Sequence, residues 1–131
     1  MKRFEGIYPA IITPIDEMEQ INEKALAQVI ERSVAQGVAG FYVSGSTGES
    51  FLLRDEQRAQ LIRAVCEIVG GRRDVIANIG AFSTKGSIEL AHVAAKSGAT
   101  AVSAVRRFTS PIPSRRLYSI ILILQRLPDF R

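Results

Sequence analysis

Residues 44–48 read Ser-Gly-Ser-Thr-Gly and directly follow the apolar residues 41–43. Glycine lets the backbone approach a ligand closely, and the neighbouring Ser46 and Thr47 can each donate hydrogen bonds from a hydroxyl and from a backbone N–H. Such a group of donors is suited to binding a small carboxylate. An ordinary glycine-rich turn has the same composition, so the surrounding elements must decide between the two interpretations.

The surrounding sequence alternates short apolar runs with segments of helical periodicity. The apolar runs predict strands at 7–13, 41–44, 75–79 and 101–105. Helices are predicted from the capping residue Asn22 to Gly37, from Glu56 to Val69, and from the capping residue Ser83 to about Ser97. Strands that alternate with helices indicate βαβ units and a parallel sheet buried on both faces. The predicted fold class is therefore α/β, with Ser46 and Thr47 at the carboxyl end of a strand.

Three segments carry a resemblance to a known family. Residues 6–14 read Gly-Ile-Tyr-Pro-Ala-Ile-Ile-Thr-Pro, residues 42–49 read Tyr-Val-Ser-Gly-Ser-Thr-Gly-Glu, and residues 101–105 read Ala-Val-Ser-Ala-Val. Together they resemble the N-acetylneuraminate lyase and dihydrodipicolinate synthase family. The second and third segments look like the lyase branch, whereas the synthase branch typically has Thr in place of Ser46. The resemblance implies that residues 1–105 form the first half of a (β/α)8 barrel, with about four βα units.

The resemblance also implies a chemistry. Members are similar class I aldolases, and the lyase forms a Schiff base and cleaves sialic acid to N-acetylmannosamine and pyruvate without metal or organic cofactor. Ser46 and Thr47 match the positions that hold the carboxylate of pyruvate or sialic acid. The family's Schiff-base lysine and catalytic tyrosine lie beyond the region of resemblance. We therefore expect no catalytic residue in this chain, and a truncated, inactive fragment of an enzyme.

Three alternatives stay open. The parent enzyme could be a dihydrodipicolinate synthase or a 2-keto-3-deoxy sugar acid aldolase. The chain itself could be a non-catalytic interaction module that pairs with a full-length relative. Residues that select the second substrate mostly lie beyond the region of resemblance, so the sequence does not choose among these enzymes.

The other reactive side chains are expected to have structural or surface roles. A Schiff-base lysine needs a depressed pKa, and none of the four lysines has a sequence environment that favours it. These side chains are Lys2, Lys24, Lys85 and Lys96 on the surface, Cys66 on an apolar helix face, His92 on a helix, and Tyr8 and Tyr42 in strands.

Composition indicates a cytoplasmic protein, and the resemblance implies that the parent enzyme binds a small-molecule substrate. The chain has 47% hydrophobic and 23% charged residues, one cysteine, and no leading apolar run that could serve as a signal peptide. A disulfide framework is excluded. We expect neither nucleic acid nor membrane as a partner, and the resemblance implies a homotetramer for the parent enzyme.

The charge is divided unequally along the chain. Residues 106–131 contain six Arg and one acidic residue, a net charge of +5, while residues 1–105 contain 11 basic and 12 acidic residues, a net charge of −1. An arginine-rich tail could bind phosphate groups.

We favour a frameshift near codon 106, because a lyase-like Pro-Pro-Phe-Tyr run read one base late gives Arg-Arg-Phe-Thr, the residues at 106–109. Residues 106–131 would then be an unstructured, out-of-frame tail, and sequencing the gene across codon 106 tests this: a single open frame with no lyase-like sequence in another frame contradicts it.

Overall fold

The computed structural model describes residues 3–104, in which strands and helices alternate. In chain order the elements are α1 (Glu23–Ala35), β1 (Gly40–Val43), α2 (Asp55–Val69), β2 (Asp74–Asn78), α3 (Thr84–Lys96) and β3 (Ala101–Ser103). The sheet order is β1-β2-β3 and both pairs are parallel. The predicted α/β class is confirmed. The expected C-terminal tail, 106–131, lies outside the described residues and stays a prediction.

The helices begin where the sequence places their caps. The Asn22 side chain accepts a hydrogen bond from the backbone N–H of Ala25 at 3.0 Å, and the Ser83 hydroxyl accepts one from the N–H of Gly86 at 3.0 Å. Gly37, with a φ of 80°, follows the last turn of α1 and reverses the chain direction. Within residues 3–104, no helix is long and apolar enough to cross a membrane.

The sequence predicts a strand at 7–13, and this prediction is wrong because the structure shows no extended ladder there. The segment forms a single parallel bridge, between Ala10 and Tyr42. The Tyr42 N–H donates to the Pro9 carbonyl at 2.9 Å, and the Ile11 N–H donates to the Tyr42 carbonyl at 3.1 Å. Pro9 has no N–H to donate, so the ladder is interrupted there, although the Ala39 N–H donates to the Ile7 carbonyl at 2.9 Å. The segment still lies beside β1, on the edge away from β2.

The two faces of the sheet differ in chemistry. Alternate strand residues are buried among the helices and form the core with them: Phe41, Val43, Val75, Ala77 and Val102. The opposite face carries polar side chains near the carboxyl ends of the strands, one from each strand: Tyr42, Asn78 and Ser103. This face is also largely buried at the carboxyl ends of the strands, where Asn78 is 8% and Ser103 is 1% exposed, but its side chains there are polar and hydrogen-bond to one another.

A second polar cluster ties the amino ends of the strands together. The Tyr8 hydroxyl donates to Asp74 Oδ2 at 2.9 Å, and the Thr100 hydroxyl donates to Asp74 Oδ1 at 3.2 Å. The Tyr8 ring lies so close to Gly40 that a Cβ there would be 2.4 Å from the ring. Partial burial, together with the hydrogen bond to Asp74, raises the pKa of Tyr8 to about 12.

We expect this cluster to make stability fall at alkaline pH. In the unfolded chain Tyr8 ionises near the ordinary tyrosine pKa of 10.0, whereas in the folded chain it keeps its proton to about 12. The contribution is therefore complete below pH 10 and is lost as pH rises through 12. Urea unfolding measured across this range should show a steeper loss for the unmodified chain than for Tyr8→Phe. Equal losses in the two proteins would show that Tyr8 is not coupled to Asp74.

Candidate functional site

A cleft of about 280 Å³ opens at the carboxyl ends of the strands. Ser46 and Thr47, the two predicted site residues, both line it. Both are exposed, and within residues 3–104 neither hydroxyl makes a hydrogen bond. The other polar residues of its lining are Tyr42, Ser50, Asp55, Arg58 and Asn78. The structure therefore brings the two predicted donors together in one cavity, with their hydroxyls available.

Backbone hydrogen bonds hold the loop that carries these donors. The Glu49 N–H donates to the Ser46 carbonyl at 3.0 Å, and the Ser50 N–H donates to the Gly45 carbonyl at 3.3 Å. From the first segment of the chain, the Thr13 hydroxyl donates to the Gly48 carbonyl at 2.7 Å. The loop is thus fixed at both of its glycines, and residues 46 and 47 form its outward-facing tip.

The two glycines of the loop are explained by close packing. A Cβ on Gly45 would lie 2.5 Å from Cε1 of the Tyr42 ring, and a Cβ on Gly48 would lie 3.1 Å from the Ile11 carbonyl. The left-handed backbone positions fall instead on Ser44, with a φ of 59°, and Glu49, with a φ of 53°. The sequence interpretation assigned the glycines to close approach of a ligand, whereas the groups that approach them in the structure belong to the protein.

Arg58 in the first turn of α2 joins the ends of two strands. Its Nε donates to the Ser44 hydroxyl at 3.0 Å, its Nη1 to the Gly80 carbonyl at 2.8 Å and its Nη2 to the Asn78 carbonyl at 3.0 Å. The Arg58 side chain is only 4% exposed. The planar guanidinium presents donors on three nitrogens in a fixed geometry, whereas the three donors of a lysine share a single nitrogen. Arg58 therefore fixes β1 and β2 where the cleft begins.

The same guanidinium places positive charge in the wall of the cleft. Asp55 Oδ1 lies 3.7 Å from Arg58 Nη1, but the Asp55 side chain is 58% exposed, so solvent weakens this ion pair. A buried cation beside unpaired hydroxyl donors favours an anion in the cavity.

Sequence reasoning missed Arg58, although a sequence feature marks it. Arg58 occupies the first position of the apolar stripe that Leu61, Ile62 and Val65 continue at spacings of three, four and seven. A charged residue at such a position is buried when its charge has partners. The pattern predicts burial but gives no indication of which groups it contacts.

Tyr42 is the second residue whose contacts the sequence did not show. Its hydroxyl lies 2.8 Å from Asn78 Nδ2 and 2.8 Å from the Ser103 hydroxyl. The Asn78 Oδ1 accepts the Gly80 N–H at 2.9 Å, so the amide group must present its Nδ2 to Tyr42. One polar side chain from each strand of the sheet thus meets beside the cleft.

The remaining reactive side chains lie where the sequence predicted. Lys24, Lys85, Lys96 and His92 are exposed on helices, and Lys2 lies outside the described residues. Cys66 is buried, and burial raises the pKa of its thiol to about 11, so it stays protonated and unreactive at neutral pH. Within the described part of the chain, no group of three or more His, Cys, Asp or Glu side chains is placed to hold a metal ion.

We expect Arg58→Lys to destabilise the protein by about 2–4 kcal/mol, because acceptors at the strand ends would lose their donors. Arg63→Lys is the matched control, since Arg63 is exposed on the same helix and its replacement should cost less than about 0.5 kcal/mol. Urea unfolding of the three proteins measures both values. Similar small losses in the two variants would contradict the role given to Arg58.

Comparison with proteins of known family agrees with this geometry. The model of the dihydrodipicolinate synthetase family matches residues 3–121. The N-acetylneuraminate lyase of Citrobacter koseri is 38% identical over 110 residues, which are 84% of this chain and 37% of that protein. The enzyme of the same name from Salmonella paratyphi B is 37% identical over the same shares. The chain thus spans a little over a third of the length of these relatives.

Solved structures give the same result. A dihydrodipicolinate synthase superposes with a TM-score of 0.77 at 37% identity, over 83% of this chain and 38% of that one. The protein CdNal from Clostridium difficile, solved in complex with mannosamine, superposes with a TM-score of 0.79 at 33% identity, over 86% of this chain and 39% of its own. The described strands and helices are therefore the first part of a (β/α)8 barrel. The chain belongs to the dihydrodipicolinate synthetase family.

Proposed function

We propose that this chain carries the carboxylate-binding part of a pyruvate-handling aldolase of the N-acetylneuraminate lyase type. The parent enzyme forms a Schiff base with its oxoacid and cleaves sialic acid to N-acetylmannosamine and pyruvate. Ser46 and Thr47 bind the carboxylate of pyruvate or of the sugar acid. The parent enzyme is a cytoplasmic homotetramer that uses neither metal nor organic cofactor.

The observation that carries this proposal is the set of unpaired donors at the tip of the loop. Within residues 3–104, the hydroxyls of Ser46 and Thr47 have no protein acceptor, and their backbone N–H groups have none either. Both residues lie in the cleft whose wall contains the buried Arg58 guanidinium. Hydrogen bonds to a charged acceptor are about twice as strong as neutral ones, so a carboxylate is the ligand that gains most from this arrangement.

The lyase is favoured over the other aldolases by the residue at position 46. This position is Ser, where the synthase branch typically has a second Thr, and the relatives from Citrobacter koseri and Salmonella paratyphi B are N-acetylneuraminate lyases. The described lysines are all exposed on helices, and none of them lines the cleft. We therefore assign substrate binding to this chain and bond cleavage to residues outside 3–104.

We expect the full chain to bind pyruvate, and Ser46→Ala or Thr47→Ala to weaken binding about tenfold, the cost of losing a hydrogen bond to a charged group. Ligand-observed NMR measures the dissociation constants. Ser97→Ala is the matched control, because the Ser97 hydroxyl donates to the Val93 carbonyl at the C-terminal end of α3, away from the cleft.

The control variant should bind pyruvate as the unmodified chain does. Unchanged affinity in both loop variants would remove Ser46 and Thr47 from the site. No detectable binding by the unmodified chain would contradict the proposed function itself.

A further inference from the structure

The Tyr42 hydroxyl occupies a junction that the carboxylate site does not require. Tyr42 lines the same cleft as Ser46 and Thr47, and its ring packs beneath Gly45, the residue that begins their loop. Its oxygen lies 2.8 Å from Asn78 on β2 and 2.8 Å from Ser103 on β3. The phenol oxygen therefore has polar partners on both other strands of the sheet, at the wall of the cleft.

The donors and acceptors of this junction can be counted. The bond from the Gly80 N–H to Asn78 Oδ1 fixes the amide orientation, so Asn78 donates to the Tyr42 oxygen. A single proton serves the contact between the Tyr42 and Ser103 hydroxyls. The two hydroxyls carry two protons between them, so one O–H always remains outside the network.

Burial decides which residue directs that proton to the cavity. Ser103 is 1% exposed and does not line the cleft, whereas Tyr42 is half-buried and does. When Ser103 donates to Tyr42, the Tyr42 oxygen accepts two hydrogen bonds and its own proton is available to a ligand. Two donors to the phenol oxygen also strengthen the hydrogen bond that the phenol then donates.

We propose that Tyr42 is a specificity-determining residue that donates a hydrogen bond to the 2-oxo oxygen of the bound acid. The exposed tip at Ser46 and Thr47 has several donors and suits a carboxylate. Tyr42 lies beneath the loop and has one donor, which suits a single oxygen on the adjacent carbon. This inference rests on the proposed function, because it assigns a further contact to the same oxoacid.

The test compares pyruvate with propionate, which has the same carboxylate and no 2-oxo oxygen. In the full chain, Tyr42→Phe keeps the ring beneath Gly45 and removes only the hydroxyl. It should weaken pyruvate binding at least about fivefold and leave propionate binding unchanged, so that the preference for pyruvate is lost. Tyr8→Phe is the matched control, because it removes a phenol hydroxyl that is hydrogen-bonded at the amino ends of the strands. It should change neither affinity.

A second variant identifies the donor. Ser103→Ala should keep the preference for pyruvate. The substitution removes the hydroxyl to which Tyr42 could otherwise donate, so the Tyr42 proton stays available to the ligand. Loss of the preference in Ser103→Ala with retention in Tyr42→Phe would assign the contact to Ser103 and overturn the inference. If Tyr42→Phe does not fold, ¹³C-labelled tyrosine in the unmodified chain decides: pyruvate should shift the Cζ resonance of Tyr42 more than propionate does, and equal shifts would overturn the inference.

The outcomes separate the inference from the proposed function. If Ser46→Ala and Thr47→Ala weaken pyruvate binding and Tyr42→Phe leaves the preference intact, the carboxylate site stands and the inference fails. If the unmodified chain binds neither acid, both fail.

Discussion

The buried guanidinium of Arg58 is the interaction on which the described site depends. Polar groups at the ends of parallel strands need hydrogen-bond partners. Here the Arg58 side chain donates to the Ser44 hydroxyl after β1 and to the Asn78 and Gly80 carbonyls at the end of β2. Burying a guanidinium is costly, and its hydrogen bonds, with the partly exposed Asp55 nearby, offset that cost. The same contacts fix Ser44, the residue from which the loop with Ser46 and Thr47 departs, so strand alignment and loop position have one cause.

The loop is shaped by contacts from both sides. The Tyr42 ring excludes a side chain at Gly45, and the Thr13 hydroxyl holds the Gly48 carbonyl. Among residues 3–104, the donors of Ser46 and Thr47 have no acceptor. The proposed function assigns these donors to the carboxylate of the ligand.

The sequence predicted those features that depend on neighbouring residues. The caps at Asn22 and Ser83 and the alternation of strands with helices are local patterns, and the structure confirms them. The predicted first strand, 7–13, is longer than the single bridge that the structure shows. Pro9 interrupts the ladder because it has no N–H, and the sequence does not show which residue Pro9 would face. The role of Tyr42 was interpreted as structural, because its partners lie 36 and 61 positions away in the sequence. Local patterns hold no information on contacts of that range, and Arg58 was missed for the same reason.

Amide-resolved NMR of the full ¹⁵N-labelled chain, titrated with pyruvate, is the most direct measurement of the central claim that the loop after β1 is an oxoacid carboxylate site. The account predicts that the largest shifts fall on the backbone amides of residues 45–48 and on the Arg58 Nε–H, with the amides at the amino ends of the strands unchanged. Shifts centred elsewhere in the chain, or none at concentrations that saturate a weak site, would contradict it.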